Sequence, residues 1–155
     1  MTAALEYFVP GRPRPKGSWK PVPIKGRTVL VPDNKRSAPW ARVVAAYTRI
    51  KMSGPPWEPD VPVGIRIRFF FRRPDSHYRT RNKRPDRSPE GLKDRSMPFP
   101  MGRRNYPDTD KLERNVWDAI TKIVYEDDIQ IVKCGATKEW GEEEGALITV
   151  WKIKV

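Results

Sequence analysis

Val61-Pro-Val-Gly-Ile-Arg-Ile-Arg-Phe-Phe-Phe71 alternates with a period of two. Val63, Ile65, Ile67, Phe69 and Phe71 fall on one face, Arg66 and Arg68 on the other. That is the pattern of a strand with one face on a core and the other in water. Upstream, Ser37 followed by Pro39 predicts a capped helix start, with Trp40, Val43, Val44 and Tyr47 at helical spacing and read as core. Ser53-Gly54-Pro55-Pro56 stops that helix. Leu5–Val9 and residues 27–32 read as earlier strands. Downstream, Leu112, Val116, Ala119, Ile120 and Ile123 form one apolar stripe, a second helix. Ile129–Trp140 and Ala146–Lys154 then read as two strands joined by a turn at Gly141 to Gly145. Their mixed apolar faces predict central places in the sheet.

The order strand, strand, helix, strand, helix, strand, strand indicates an α/β (α+β) fold, with two main helices packed against one mixed β-sheet. At 155 residues the chain is expected to be a single domain spanning 1–155. No apolar run is long enough to cross a bilayer, and the first residues carry no signal-peptide pattern. A lone cysteine, Cys134, excludes an intramolecular disulfide and a cysteine-based zinc site. It reads as a small buried hydrophobe in a strand. A cytoplasmic protein is the expectation.

Charge is unevenly placed. Residues 1–107 hold 24 Lys and Arg against 8 acids, a net of +16, while residues 108–155 hold 7 against 11, a net of −4. A basic body with an acidic patch suits a nuclease: cations neutralise phosphates and carboxylates hold metal at the scissile one. In Pro10-Gly-Arg-Pro-Arg-Pro-Lys-Gly-Ser18, alternate prolines predict an extended loop from which Arg12, Arg14 and Lys16 project toward DNA. A charged lead-in explains the same residues. Residues 72–106 carry eleven Lys and Arg without sustained periodicity. They are expected to form a basic, flexible flap, with Arg103 and Arg104 beside the acids as candidate DNA contacts. His77, the only histidine, lies in this flap and is assigned no chemistry.

The acids border the second helix. Asp108 and Asp110 precede it, and Glu126, Asp127 and Asp128 follow it. A fold-back could gather Asp108, Asp110 and Asp128, and carboxylates so gathered repel one another unless a hard cation such as Mg²⁺ sits among them. The plain structural alternative makes Asp110 and Glu113 a capping box and Asp127-Asp128 a polar turn. Lys138, on the strand after Asp128, is a candidate to reach the same site.

Pro107-Asp-Thr-Asp-Lys-Leu112, Asp118-Ala119 and Val124-Tyr-Glu-Asp-Asp-Ile-Gln130 resemble the RusA family of Holliday-junction resolvases, particularly its phage-borne branch. The resemblance covers about two dozen residues, with a weaker echo in the loop after Pro10. It implies a Mg²⁺-dependent, homodimeric endodeoxyribonuclease making paired symmetrical nicks across four-way DNA in recombination and repair, with Mn²⁺ able to replace Mg²⁺. It maps the metal ligands to Asp108, Asp110 and Asp128 and places the enzyme on DNA in the nucleoid of a bacterial or phage-infected cell. Two residues depart from the family pattern. Lys111, a candidate DNA contact, stands where asparagine is usual. Arg114 stands where a catalytic lysine is common; it keeps the charge but donates no proton at neutral pH. Charge stabilisation, or pairing with Asp110 or Asp118, is open to it.

Three other readings compete. A restriction-type nuclease would place an acid-x-Lys after its first aspartate, whereas Ile129-Gln130 follows Asp128. A non-catalytic nucleic-acid-binding protein would leave the acids as caps. A ribosomal-type protein would prefer RNA.

Overall fold

The computed structural model describes residues 4–32, 35–102 and 105–155. Its main sheet has four strands: β1 (Ala4–Pro10), β4 (Val63–Phe71), β7 (Ile131–Trp140) and β8 (Gly145–Lys152), in the order β1-β8-β4-β7. β8 runs antiparallel to both β1 and β4, and β4 runs parallel to β7. The sheet is therefore mixed, as the element order predicts. Two helices, α1 (Ser37–Lys51) and α2 (Thr109–Ile120), cover one face. The fold is α+β.

The alternation in β4 does what its periodicity requires. Val63, Ile65, Ile67, Phe69 and Phe71 are all buried, while Arg66 and Arg68 are exposed. They join Tyr7 and Val9 of β1, Ala146, Ile148 and Val150 of β8, Trp40 and Val44 of α1, and Leu112, Val116 and Ile120 of α2 in one core. On the open face Arg68 pairs with Glu139 through two bonds of 2.8 and 2.7 Å. Inside, the Tyr7 hydroxyl and Thr48 Oγ1 share a hydrogen bond of 2.7 Å that ties β1 to α1. Burial pushes the Tyr7 phenol up to about 12 even though that bond pulls the other way.

Several expectations are corrected. β8 is central, but β7 is an edge strand, so Val132 and Cys134 face solvent and Cys134 is not a core residue. Among the described residues no further strand pairs with β7, a placement that apolar composition alone did not reveal. Trp40 and Val44 are core, whereas Val43 and Tyr47 are each 38% exposed because α1 meets the sheet with a narrower stripe than its apolar spacing suggests. Ser37 is the first residue of α1 rather than its cap; its hydroxyl donates to Asn115 Oδ1 at 3.2 Å and joins the two helices. α2 ends at Ile120, and Ile123 lies in the turn beyond it. A strand the reading omitted, β2 (Trp19–Ile24), pairs with β3 (Arg27–Pro32) in a separate hairpin.

The basic segment from Arg72 has local order that hydrophobic periodicity does not signal. Two short strands, β5 (Thr80–Arg81) and β6 (Arg84–Pro85), form a tight hairpin. Single 3-10 turns at Asp75–His77 and Pro89–Gly91 flank it. Arg87 pairs with Asp75, donates to the Arg73 carbonyl at 3.0 Å and stacks over the nearly buried Tyr78. His77 meets the Trp140 ring edge-on at 5.5 Å, joining this segment to β7.

Candidate active site

α2 is the spine of the site, and what surrounds it explains the role of each acid. Its N-cap is Asp108, not Asp110, and the Asp108 carboxylate makes no capping hydrogen bond. The capping box between Asp110 and Glu113 is therefore not formed. Asp108 is exposed and stands 3.8 Å from Lys111 Nζ, a loose contact between solvated groups. Asp110, in the first turn, is exposed, and its side chain forms no hydrogen bond or ion pair among the described residues. Glu113 follows it by one turn. Its Oε1 is buried without a partner, and burial, then the charge of Asp110, raise its carboxyl above the usual range. Its neighbour Arg114 is exposed and unpaired among the described residues.

The acids at the far border divide their work. The Asp127 carboxylate accepts from the Ile129 amide at 3.0 Å, while Gln130 Oε1 accepts from the Glu126 and Asp127 amides at 2.9 and 3.1 Å. This is a true capping box, so the polar-turn reading holds for Asp127. The amide nitrogen of the buried Gln130 donates to the carbonyls of Glu58 and Val61, fastening the turn to the lead-in of β4. Asp128 is exposed beside it. A hydrogen bond shared with Asp127, then burial and the charges of Asp127 and Asp118, push its carboxyl up, while Lys16 pulls the other way.

Asp118 is thus, after Asp127, the acid that acts on Asp128, and it lies two turns beyond Asp110 on α2, about 12 Å along the axis. Asp108, Asp110 and Asp128 are not gathered around a common point. Among the described residues, no three acid, histidine or cysteine side chains stand together as a metal cluster. Instead, the acids line α2: Asp108, Asp110 and Glu113 near its start, Asp118 and Asp128 near its end. As donors they suit a hard cation, all being carboxylate oxygen without sulfur or imidazole. The orphaned Glu113 oxygen and the mutual repulsion of Asp128 with its neighbours are what such a cation would relieve.

The basic loop after β1 runs along this helix. The Lys16 amide donates to the Lys111 carbonyl at 2.9 Å, and Asn115, buried on α2, donates to the Arg14 carbonyl at 2.8 Å. The Lys16 ammonium pairs with Asp118. Arg12 does not project outward: it pairs with Glu144 at 2.9 Å, donates to the Asn105 carbonyl at 3.0 Å, and stands 5.6 and 5.8 Å from the Phe71 and Tyr106 rings. It holds the approach to Asp108 in place. Lys138 reaches the same approach, donating to the Pro107 carbonyl at 3.0 Å immediately before Asp108. Arg103 and Arg104 lie outside the described residues.

Two residues escaped the sequence reading. Glu113 was given only a capping role, and Asp118 only a place in a motif and as a partner for Arg114. The spacing Asp110, Arg114, Asp118, four residues apart on one helix face, is the signal that marked Asp118. Nothing in the sequence marks the burial of Glu113.

The family model described as Endodeoxyribonuclease RusA matches residues 10–151. Among curated proteins, none matches the chain.

Proposed function

The chain belongs to the RusA endodeoxyribonuclease family, and from that premise we propose a divalent-metal-dependent nuclease that resolves four-way DNA by paired symmetrical nicks. One observation carries this reading. Two acids at the start of α2, Asp108 and Asp110, have no hydrogen-bonding work in the fold, within a chain whose family cuts DNA. Acids retained on a protein of net charge +12 without structural employment point to a cation and a phosphate.

Asp108, Asp110 and Asp128 would hold one or two such ions between them, with Asp118 and Glu113 as neighbouring carboxylates. When bound, Mg²⁺ or Mn²⁺ supplies a water of lowered pKa and offsets charge on the leaving 3′-oxygen. The chain's own groups do the rest. Arg114, unpaired between Asp110 and Asp118, directs a fixed positive charge at the non-bridging phosphate oxygens. Lys138 acts from behind, holding the Pro107 carbonyl and hence the backbone of Asp108. Lys16 neutralises Asp118 and is the cation that an approaching phosphate would draw away. In this role the enzyme works as a homodimer in DNA recombination and repair, one active site for each nick.

The experiment is a cleavage assay on four-way, forked and linear duplex DNA. Asp110→Asn is expected to bind four-way DNA with near-wild-type affinity while nicking falls by at least about a thousandfold. Full nicking by that variant would remove Asp110 from the site. Equal cutting of linear duplex would remove the preference for branched DNA.

A further inference from the structure

The β2–β3 hairpin has no place in the mechanism above, yet it is an unusual object. Among the described residues it pairs only with itself, outside the main sheet. Every described side chain from Trp19 to Leu30 except Val22 is exposed, including Trp19 at 61% and Leu30 at 59%. From Pro10 to Pro32 there is no acid, while six Lys and Arg are present.

Its tip is built against local preference. Lys25 and Gly26 have φ of +48° and +75°, the two left-handed residues of a two-residue hairpin turn. Asn-Gly is the favoured pair for this turn, and a lysine in that conformation is strained by about 1 kcal/mol. A cation is held at the tip all the same, with Arg27 next to it, and neither side chain forms an ion pair among the described residues. The register pairs Ile24 with Arg27, Pro23 with Thr28 and Pro21 with Leu30. The closing pair of such a hairpin is hydrogen-bonded, so Pro21 and Pro23 occupy positions whose amide would point out of the free edge. The prolines strip donors from that edge and block the addition of another strand, whether from a second copy or from a partner protein.

We propose that this ribbon is a DNA arm that lies in a groove of one duplex arm of the substrate, with Lys25 and Arg27 on its phosphates. The proposal rests on the nuclease reading above. A two-stranded ribbon fits the major groove, about 12 Å wide, and six-residue strands reach roughly 20 Å. Lys16, anchored on α2, is three residues before Trp19, so the ribbon's root lies within about 10 Å of the acids' helix. Ribbon and acids therefore act on one DNA arm, the ribbon some base pairs from the cut.

The test is the full-length chain carrying Lys25→Asn with Arg27→Gln, which keeps Asn-Gly in the turn and so preserves the hairpin. Binding is measured with Ca²⁺ by fluorescence anisotropy on four-way junctions. Arms of about 20 base pairs are compared with arms of about 4, which at about 3.4 Å per pair end short of the ribbon's tip and its Lys25 and Arg27. On long arms the variant is expected to bind about tenfold more weakly, with a salt slope lower by about 2. On short arms wild type and variant are expected to match. Equal affinity on long arms, or equal loss on both substrates, overturns the proposal. So does a change of oligomeric state in sedimentation, which would make the ribbon a contact between copies. If wild type cuts no junction but the variant still loses affinity for long duplex arms, the ribbon stands and the junction reading falls.

Discussion

Gln130 uses its whole amide inside the protein: two amides donate to its oxygen, and its nitrogen donates to two carbonyls. Removing it strands four backbone groups around a nearly buried site. Gln130→Ala is expected to lower unfolding free energy by about 3 kcal/mol, read from the urea midpoint at unchanged m-value. Its neighbours separate structure from chemistry. Asp127→Ala removes a cap and should destabilise by about 1 kcal/mol. Asp128→Asn should behave oppositely. Its folded carboxyl is raised above the unfolded value, so at neutral pH its ionised form is disfavoured in the fold and the amide relieves that repulsion. Unchanged or slightly higher stability with loss of nicking is the expected outcome. A large drop in the urea midpoint would make Asp128 a structural acid.

The segment from Arg72 to Gly102 makes its prediction as an element. Gly91 is buried, and a Cβ there would fall 1.8 Å from the Asp86 carbonyl oxygen, an atom of the backbone that has little room to yield. Gly91→Ala should open the loop around the β5–β6 hairpin and speed tryptic cleavage at Arg79 and Arg87, leaving the sheet intact. The His77 contact adds a pH dependence. Burial, then the positive charges of Arg73 and Lys93, hold its imidazole below its ordinary value. A lowered histidine favours the neutral fold, so its contribution is present above the unfolded value near 6.5 and fades as pH falls through the folded one. The imidazole protons should titrate below 6.5 in an NMR series, and His77→Gln should flatten the corresponding acid limb of stability. A midpoint at or above 6.5 would contradict this. Elements whose residues obey one period, such as β4 and α2, were legible because burial and periodicity are the same fact. Order in the flap and the solvated edge of β7 were not. The flap is made by Arg87, Tyr78 and Gly91 contacts with no period, and an edge position depends on the absence of a neighbour. The acids were legible by type and spacing. Their distribution along α2 was not, because it depends on where the turn held by Gln130 places Asp128.

At the scale of the molecule, the asymmetry of charge makes binding and cutting separable. A basic body should hold DNA without metal, so chelation is expected to abolish nicking while leaving salt-sensitive binding in place. Paired cutting demands more than one chain. Each chain carries a single set of α2 acids, and two strands must be cut to separate a junction into duplexes. A twofold assembly with one site per strand meets that need. It can be tested by mixing wild type with an equal amount of Asp110→Asn, after subunit exchange, on a supercoiled plasmid that extrudes a cruciform. Concerted cuts linearise the plasmid, and a single cut leaves a nicked circle. Random pairing makes about a quarter of the dimers wild type on both sides and about half of them mixed. Linear product should therefore fall to about a quarter of its unmixed yield, with nicked circle appearing in its place. Linear product falling only in proportion to the wild-type share, with no nicked circle, would sink the twofold arrangement and leave each chain cutting alone.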